Sequence, residues 1–220
     1  SFRSGMDDRD RLDIMDELAK DSVEFTNCVT SAPSSLLSAG GIFTGLPGAF
    51  IARHFNDWKF RDAPFSTIKD LVETYNYRSF PIFDSRELRE RLQFILPPLR
   101  RKDLPTGYYL SDYAWHNDQI TDIFKHILNK NFNTAGCYTL WYDCRRDPNT
   151  SKLVKDAIDE IKELGLYDNS IIIMHSDHGY PDSRTQLNED YFKDLGHDMV
   201  LTDDNIKVPF LIKFPDMGDP

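Results

Sequence analysis

Residues 170–174 read Ser-Ile-Ile-Ile-Met, and His175-Ser176-Asp177-His178-Gly179 follow directly. A short run of β-branched and apolar residues is expected to be a strand. With no polar face, it reads as a parallel strand covered by helices on both sides. The stretch before it, 151–165, places Leu153, Val154, Ile158, Ile161 and Leu164 at helical spacing and ends on Gly165, a C-cap residue. A further strand is expected over Val208–Phe214. Strands that alternate with helices in this way make the class α/β, with a mostly parallel sheet sandwiched by helices.

The same reading extends toward the N-terminus. Residues 135–143 (AGCYTLWYD) are a candidate inner strand, and 114–130 a helix burying Ile120, Ile123, Phe124, Ile127 and Leu128. The segment 66–76 is expected to be a short helix capped by Ser66, with Ile68, Leu71, Val72 and Tyr75 facing inward, and the strand-like YRSFPIFD follows it. Leu12, Met15, Leu18 and Ala19 mark a first helix, and residues 22–29 alternate as a strand. Pro33 stops that strand, Ser34 or Ser35 caps the next helix, and Gly45, Pro47 and Gly48 close the segment. His54 then falls in a loop.

Composition bounds what this fold can serve. The 220 residues hold 15 Phe, 10 Tyr and 3 Trp, too many rings for a disordered chain. One core is the expectation: a single domain over 1–220, with the polar stretch 84–134 as a lid or insertion. With 26 Lys+Arg against 36 Asp+Glu the net charge is −10, which argues against a nucleic-acid binder. No apolar run approaches the ~18 residues of a membrane span. Cys28, Cys137 and Cys144 form no CxxC, so neither a disulfide framework nor a zinc ribbon is indicated. This usage leans toward reducing surroundings without fixing a compartment. Ser1 and Pro220 both read as cuts through a longer protein.

Ligands of open α/β sheets bind beyond the carboxyl ends of strands, which points to 175–179. Asp177 and His178 there offer an oxygen and a nitrogen to one divalent metal. The plainer alternative is a strand-to-loop turn with Asp177 capping and His178 exposed. Ser35 opens a helix whose N-terminal amides suit a phosphate or sulfate, so its hydroxyl reads either as an N-cap or as a nucleophile activated by a metal. Arg145 or Arg146 either grips a phosphate or is solvated. His116 and His126 read as surface residues, and Arg100-Arg101-Lys102 as a solvated loop.

Together these segments resemble the sulfatase and alkaline-phosphatase superfamily of metal-dependent hydrolases. The passage LDIMDELAKDSVEFTNCVTSAPSSLLSAGGIFTG (12–45) is similar to that family's helix, strand, nucleophile and Thr-Gly passage. Ser35, ten residues before Gly45, stands at the nucleophile position. ELGLYDNSIIIMHSDHG (163–179) is similar to its Ser-Asp-His-Gly signature, which maps the metal ligands onto Asp177 and His178. GHDMVLTDDNIKVPFLIKFP (196–215) resembles the passage in which a Lys or His contacts the substrate anion, here His197. STIKDLVETYNYRSFPI (66–82) resembles the helix and strand after the nucleophile segment.

The resemblance implies an alkaline-phosphatase-like fold whose first strand, ending in a metal-ligating Asp, lies just before Ser1-Phe2-Arg3 and outside the chain. It implies Ser35 as nucleophile and third metal ligand, His197 as a substrate contact, and a divalent cofactor: Zn, Mn, Mg or Ca. The family often shows a His in a Tyr-Asp-x-His stretch where this chain reads Tyr142-Asp143-Cys144-Arg145, so Arg145 stands as a substrate contact on its own chemistry and not on the resemblance. Ser35-Leu36-Leu37-Ser38-Ala39 lacks the Pro and Arg of the formylglycine motif. The expectation is therefore a metal-dependent hydrolase or transferase acting on a small-molecule, lipid or glycan phosphate ester through serine. A formylglycine sulfatase and a catalytically degenerate binding module are the alternatives.

Overall fold

The structure is a computed structural model that describes residues 12–55, 67–92, 95–96, 99–110, 115–143, 148–179 and 201–216. In chain order it contains α1 (Asp13–Leu18), β1 (Val23–Glu24), α2 (Ser35–Thr44), α3 (Gly48–Phe55), α4 (Ile68–Thr74) and β2 (Arg78–Phe83). There follow α5 (Arg86–Leu92), α6 (Asn117–Asn131), β3 (Gly136–Trp141), α7 (Thr150–Glu163) and β4 (Ile172–His175). A one-turn helix, Asp203–Ile206, leads into β5 (Phe210–Lys213). The α/β class read from the sequence holds. The chain divides into two compact units, one made of Ser1–Phe60 with Ser170–Pro220, the other of Arg61–Asn169.

The Arg61–Asn169 unit is built on a parallel pair. β2 and β3 run together from Arg78 opposite Gly136 to Phe83 opposite Trp141. Parallel neighbours need a crossover, and α6 lies in that connection. Its stripe of Ile120, Ile123, Phe124, Ile127 and Leu128 is buried with Phe80 and Ile82 of β2 and Ala157 of α7. This is the i, i+3, i+4, i+7 spacing expected of a helix with one covered face. Gly165 takes φ +66° beyond α7, a left-handed conformation that a Cβ would disfavour. His116 and His126 are exposed, as are Arg100, Arg101 and Lys102.

The other unit carries a three-stranded sheet in the order β1-β5-β4, antiparallel throughout. Ile14, Met15 and Leu18 of α1 are buried, as are Ala39 and Phe43 of α2, Ile51 of α3, and Val208 and Leu211. β1 is short because Thr26 and Asn27 turn the chain. Pairing resumes beyond them: Val208 N bonds to Cys28 O (3.1 Å), Thr30 N bonds to Ile206 O (2.8 Å), and Val29 bridges Lys207.

Four expectations are corrected. β4 pairs antiparallel with β5, with Ile173 opposite Ile212. Its apolar run is not covered on both faces, since Ile171 and Ile173 are 61% and 55% exposed. Strand direction follows from how the chain returns, which the composition of a strand does not encode. In α4 Val72 is buried and Ile68 half-buried, while Leu71 and Tyr75 are exposed. Its N-cap is Thr67, whose capping box with Asp70 closes the first turn; Ser66 lies outside the described residues. The residues 22–29 form a two-residue strand and a turn. Finally, the region read as a loop around His54 is α3. Pro47 starts it by accepting from Phe50 N and Ile51 N (2.9 and 3.1 Å), and no Gly or Pro interrupts the following turns.

Candidate active site

The site is built within the first unit, where the start of α2 meets the loop that leaves β4. Ser34 is the N-cap of α2 in an extended conformation and makes no side-chain capping bond. The first-turn amides of α2 therefore lack the partner that a capping side chain would give. Ser35 is the first helical residue.

Ser35 Oγ lies 2.9 Å from His178 Nε2. His178 Nδ1 lies 2.6 Å from the carbonyl oxygen of Gly179. A carbonyl only accepts, so Nδ1 carries the proton and donates. In the neutral ring Nε2 is then left with its lone pair, aimed at the Ser35 hydroxyl. The carboxylate oxygen Oδ2 of Asp177 is 3.4 Å from the same Nε2, and the two side chains are only 19% (Asp177) and 10% (His178) exposed.

This geometry is not that of a nucleophile–imidazole–carboxylate relay. In a relay the carboxylate holds the far nitrogen, Nδ1. Here a backbone carbonyl holds Nδ1, while hydroxyl and carboxylate both approach Nε2. Ser35 Oγ and Asp177 Oδ2 thus approach the same ring nitrogen, an arrangement of one nitrogen and two oxygens that matches the chemistry of metal ligands. Metal–ligand bonds of about 2.0–2.2 Å in tetrahedral geometry put neighbouring donors roughly 3.3–3.6 Å apart. The Asp177–His178 separation of 3.4 Å falls in that range, while the 2.9 Å between Ser35 Oγ and His178 Nε2 is a hydrogen-bond distance. Among the described residues no group of three or more His, Cys, Asp and Glu side chains that could hold a metal ion comes together.

The loop is held from several sides. Ser176 Oγ donates to His178 O (2.6 Å), and Gly179 N donates to Asn205 O (2.8 Å). Gly179 packs so tightly that an added Cβ would collide with the backbone oxygen of Asp204. Glycine is required there for close approach. The Asp177 carbonyl accepts from Ser38 Oγ (2.6 Å) and from Thr30 Oγ1. Sequence reasoning did not single out Thr30 or Ser38. Ser38 carries one usable signal: three residues after Ser35, it shares a helix face with it.

The structure thus brings Ser35, Asp177 and His178 together. His197 and Arg145 lie outside the described residues, as do Ser1-Phe2-Arg3. Among the described residues no helix is long and apolar enough to cross a membrane.

No family model and no curated protein matches the sequence. Solved structures do. The lipoteichoic acid synthase LtaP from Listeria monocytogenes superposes with a TM-score of 0.68 at 13% identity, covering 95% of this chain and 60% of its own. A protein of the alkaline phosphatase superfamily from Vibrio parahaemolyticus gives 0.62 at 13% identity, covering 93% of this chain and 54% of its own. The soluble domain of lipooligosaccharide phosphoethanolamine transferase A from Neisseria meningitidis gives 0.58 at 13%, covering 93% and 69%. The chain spans 60% of the length of the LtaP structure. Likeness at this identity speaks to architecture, and on that ground the chain has the fold of the sulfatase and alkaline-phosphatase superfamily.

Proposed function

We propose that this chain is part of a metal-dependent hydrolase or transferase of that superfamily, acting on a phosphoric ester through Ser35. The observation that carries the reading is the convergence of Ser35 Oγ and Asp177 Oδ2 on Nε2 of His178, at 2.9 and 3.4 Å. Two of the solved structures it resembles are named as a lipoteichoic acid synthase and a phosphoethanolamine transferase. A lipid- or glycan-linked phosphate ester is the substrate class this supports.

Asp177, His178 and Ser35 would hold a divalent ion. Their N and O donors suit Zn or Mn, and additional oxygens would admit Mg or Ca. Such an ion lowers the pKa of a hydroxyl it binds and offsets charge on a phosphoryl group. The chain's own residues do the rest. Ser35 Oγ attacks phosphorus in line: the Oγ–P bond forms, the bond from phosphorus to the leaving oxygen breaks, and the serine proton passes to solvent or the leaving group. Water or an alcohol then attacks the phosphoserine and restores the hydroxyl. The first-turn amides of α2 face the substrate oxygens as fixed dipoles, which carry much of the stabilisation in phosphoryl transfer. His197 and Arg145 are proposed to contact the same anion.

Ala39 takes the position where the formylglycine motif has Arg, and it is fully buried. A serine nucleophile is favoured over the aldehyde for that reason. The test is turnover of an aryl phosphodiester by the full-length protein and its Ser35→Ala variant, with intact mass of the trapped intermediate. Phosphorylation at Ser35 in the parent and its loss with turnover in the variant is the expected result. Unchanged turnover in Ser35→Ala removes Ser35 from the mechanism, and a folded parent that binds metal without turning over any ester supports the binding-module alternative.

A further inference from the structure

The peptide that joins Asp177 to His178 is held from outside its own loop. Its carbonyl oxygen, on Asp177, accepts from Ser38 Oγ at 2.6 Å and from Thr30 Oγ1. The two hydroxyls are 2.8 Å apart. Thr30 Oγ1 also reaches Ala32 O at 2.9 Å. Ser38 is 1% exposed, so water does not replace these bonds.

Counting protons assigns the roles. Each hydroxyl has one proton to donate and can accept besides. Ser38 has one carbonyl within reach outside its helix, Asp177 O, and spends its proton there. Thr30 divides its proton between Ala32 O, Asp177 O and Ser38 Oγ. Ser38 is therefore the principal anchor, with Thr30 supporting it from behind.

That anchor acts on the site through geometry. A peptide unit is planar, so fixing its oxygen fixes the plane. The plane between residues 177 and 178 sets ψ of Asp177 and φ of His178, the torsions that aim the carboxylate and the ring. On α2, Ser35 and Ser38 are three residues apart and share a face. One helix face thus presents Ser35 to the His178 ring and Ser38 to the peptide that orients it. We propose that Ser38, supported by Thr30, is a positioning residue that holds the Asp177–His178 plane in register with Ser35. The consequence for metal rests on the function proposed above; the consequence for His178 does not.

The test uses the full-length protein with Ser38→Ala, Thr30→Val and the hydroxyl-keeping Thr30→Ser. Long-range nitrogen–proton NMR spectra of the imidazoles report the His178 ring, assigned by its loss in His178→Gln. Calorimetry with Zn²⁺ reports binding affinity, and a melting curve reports stability. Ser38→Ala is expected to move the His178 nitrogen shifts and to weaken Zn²⁺ binding about tenfold or more, the usual effect of losing an outer partner of a ligand. Thr30→Val moves them less, and Thr30→Ser keeps the parent values. A Ser38→Ala protein with a lowered melting temperature but unchanged His178 shifts overturns the proposal, because a purely structural hydroxyl would behave so. If Ser38→Ala does not fold, the Thr30→Val and Thr30→Ser pair decides: identical His178 shifts in both overturn it. If no variant and no parent binds Zn²⁺, the metal reading fails while the His178 spectra still decide this inference.

Discussion

Ser35 Oγ and His178 Nε2 meet at 2.9 Å across 143 residues of sequence. The contact joins the first turn of a helix to the loop after a strand. Because His178 Nδ1–H donates to Gly179 O, the nitrogen facing Ser35 in the neutral ring has one lone pair to give. A serine proton and a cation compete for that lone pair.

An ion that takes Ser35 Oγ as the alkoxide would release the serine proton on uptake. Ligands must be deprotonated to bind, so affinity for Zn²⁺ should fall as pH falls. Calorimetry in buffers of different ionisation enthalpy reads the protons directly. Asp177→Ala should lose most of the bound metal measured by elemental analysis. An equal metal load in parent and Asp177→Ala sinks the ligand assignment.

Gly179→Ala tests the packing of the site loop. The added methyl would press on the backbone oxygen of Asp204, a neighbour that cannot rotate away. Overpacking of this kind costs about 1–3 kcal/mol. Urea denaturation should show that loss, with the Ser35–His178 contact disturbed in the folded fraction. A variant as stable as the parent would mean that the loop relaxes freely.

Asn117 should be among the costlier polar residues to remove. Its side chain is 4% exposed and donates to Asp143 O and Thr150 Oγ1, both at 2.9 Å, while its Oδ1 accepts from Asp143 N at 3.0 Å. It ties the start of α6 to the end of β3 and the start of α7. Asn117→Ala removes three hydrogen bonds made by one buried side chain, at about 1–3 kcal/mol. Lys152→Ala is the contrast, since its exposed i,i+4 pair with Asp156 is worth about 0.5 kcal/mol or less. Comparable losses for the two variants would contradict the assignment.

Alkaline pH should destabilise the β2–β3 unit. Burial raises the Cys137 thiol above its ordinary value. Burial also raises the Tyr138 phenol, against the opposing charge of Arg78. Tyr138 stacks on Phe80 at 5.0 Å and meets Phe124 edge-on at 5.5 Å. Both groups bind their protons more tightly folded than unfolded. Their contribution is complete below the unfolded values, about 8.5 for Cys and 10 for Tyr, and is lost as pH rises through the folded ones. The share of the unfolding free energy carried by these two groups should therefore be constant to about pH 8 and decline above it. Cys137→Ala with Tyr138→Phe should flatten the decline; an unchanged slope rejects the cause.

The sequence alone determined the α/β class, the apolar stripe of α6 and the glycine beyond α7, and it pointed to residues 35, 177 and 178, which the fold brings close together. Each is legible because a helix bonds to its own neighbours and a signature keeps its spacing. Tertiary structure decided what depends on distant partners: β4 running antiparallel to β5, Leu71 and Tyr75 left in solvent, and the hydroxyls of Thr30 and Ser38 closing on Asp177 O. The hydrogen bonds of a strand edge and of a lone hydroxyl go to whichever segment the fold brings alongside. No periodicity within a dozen residues records that choice.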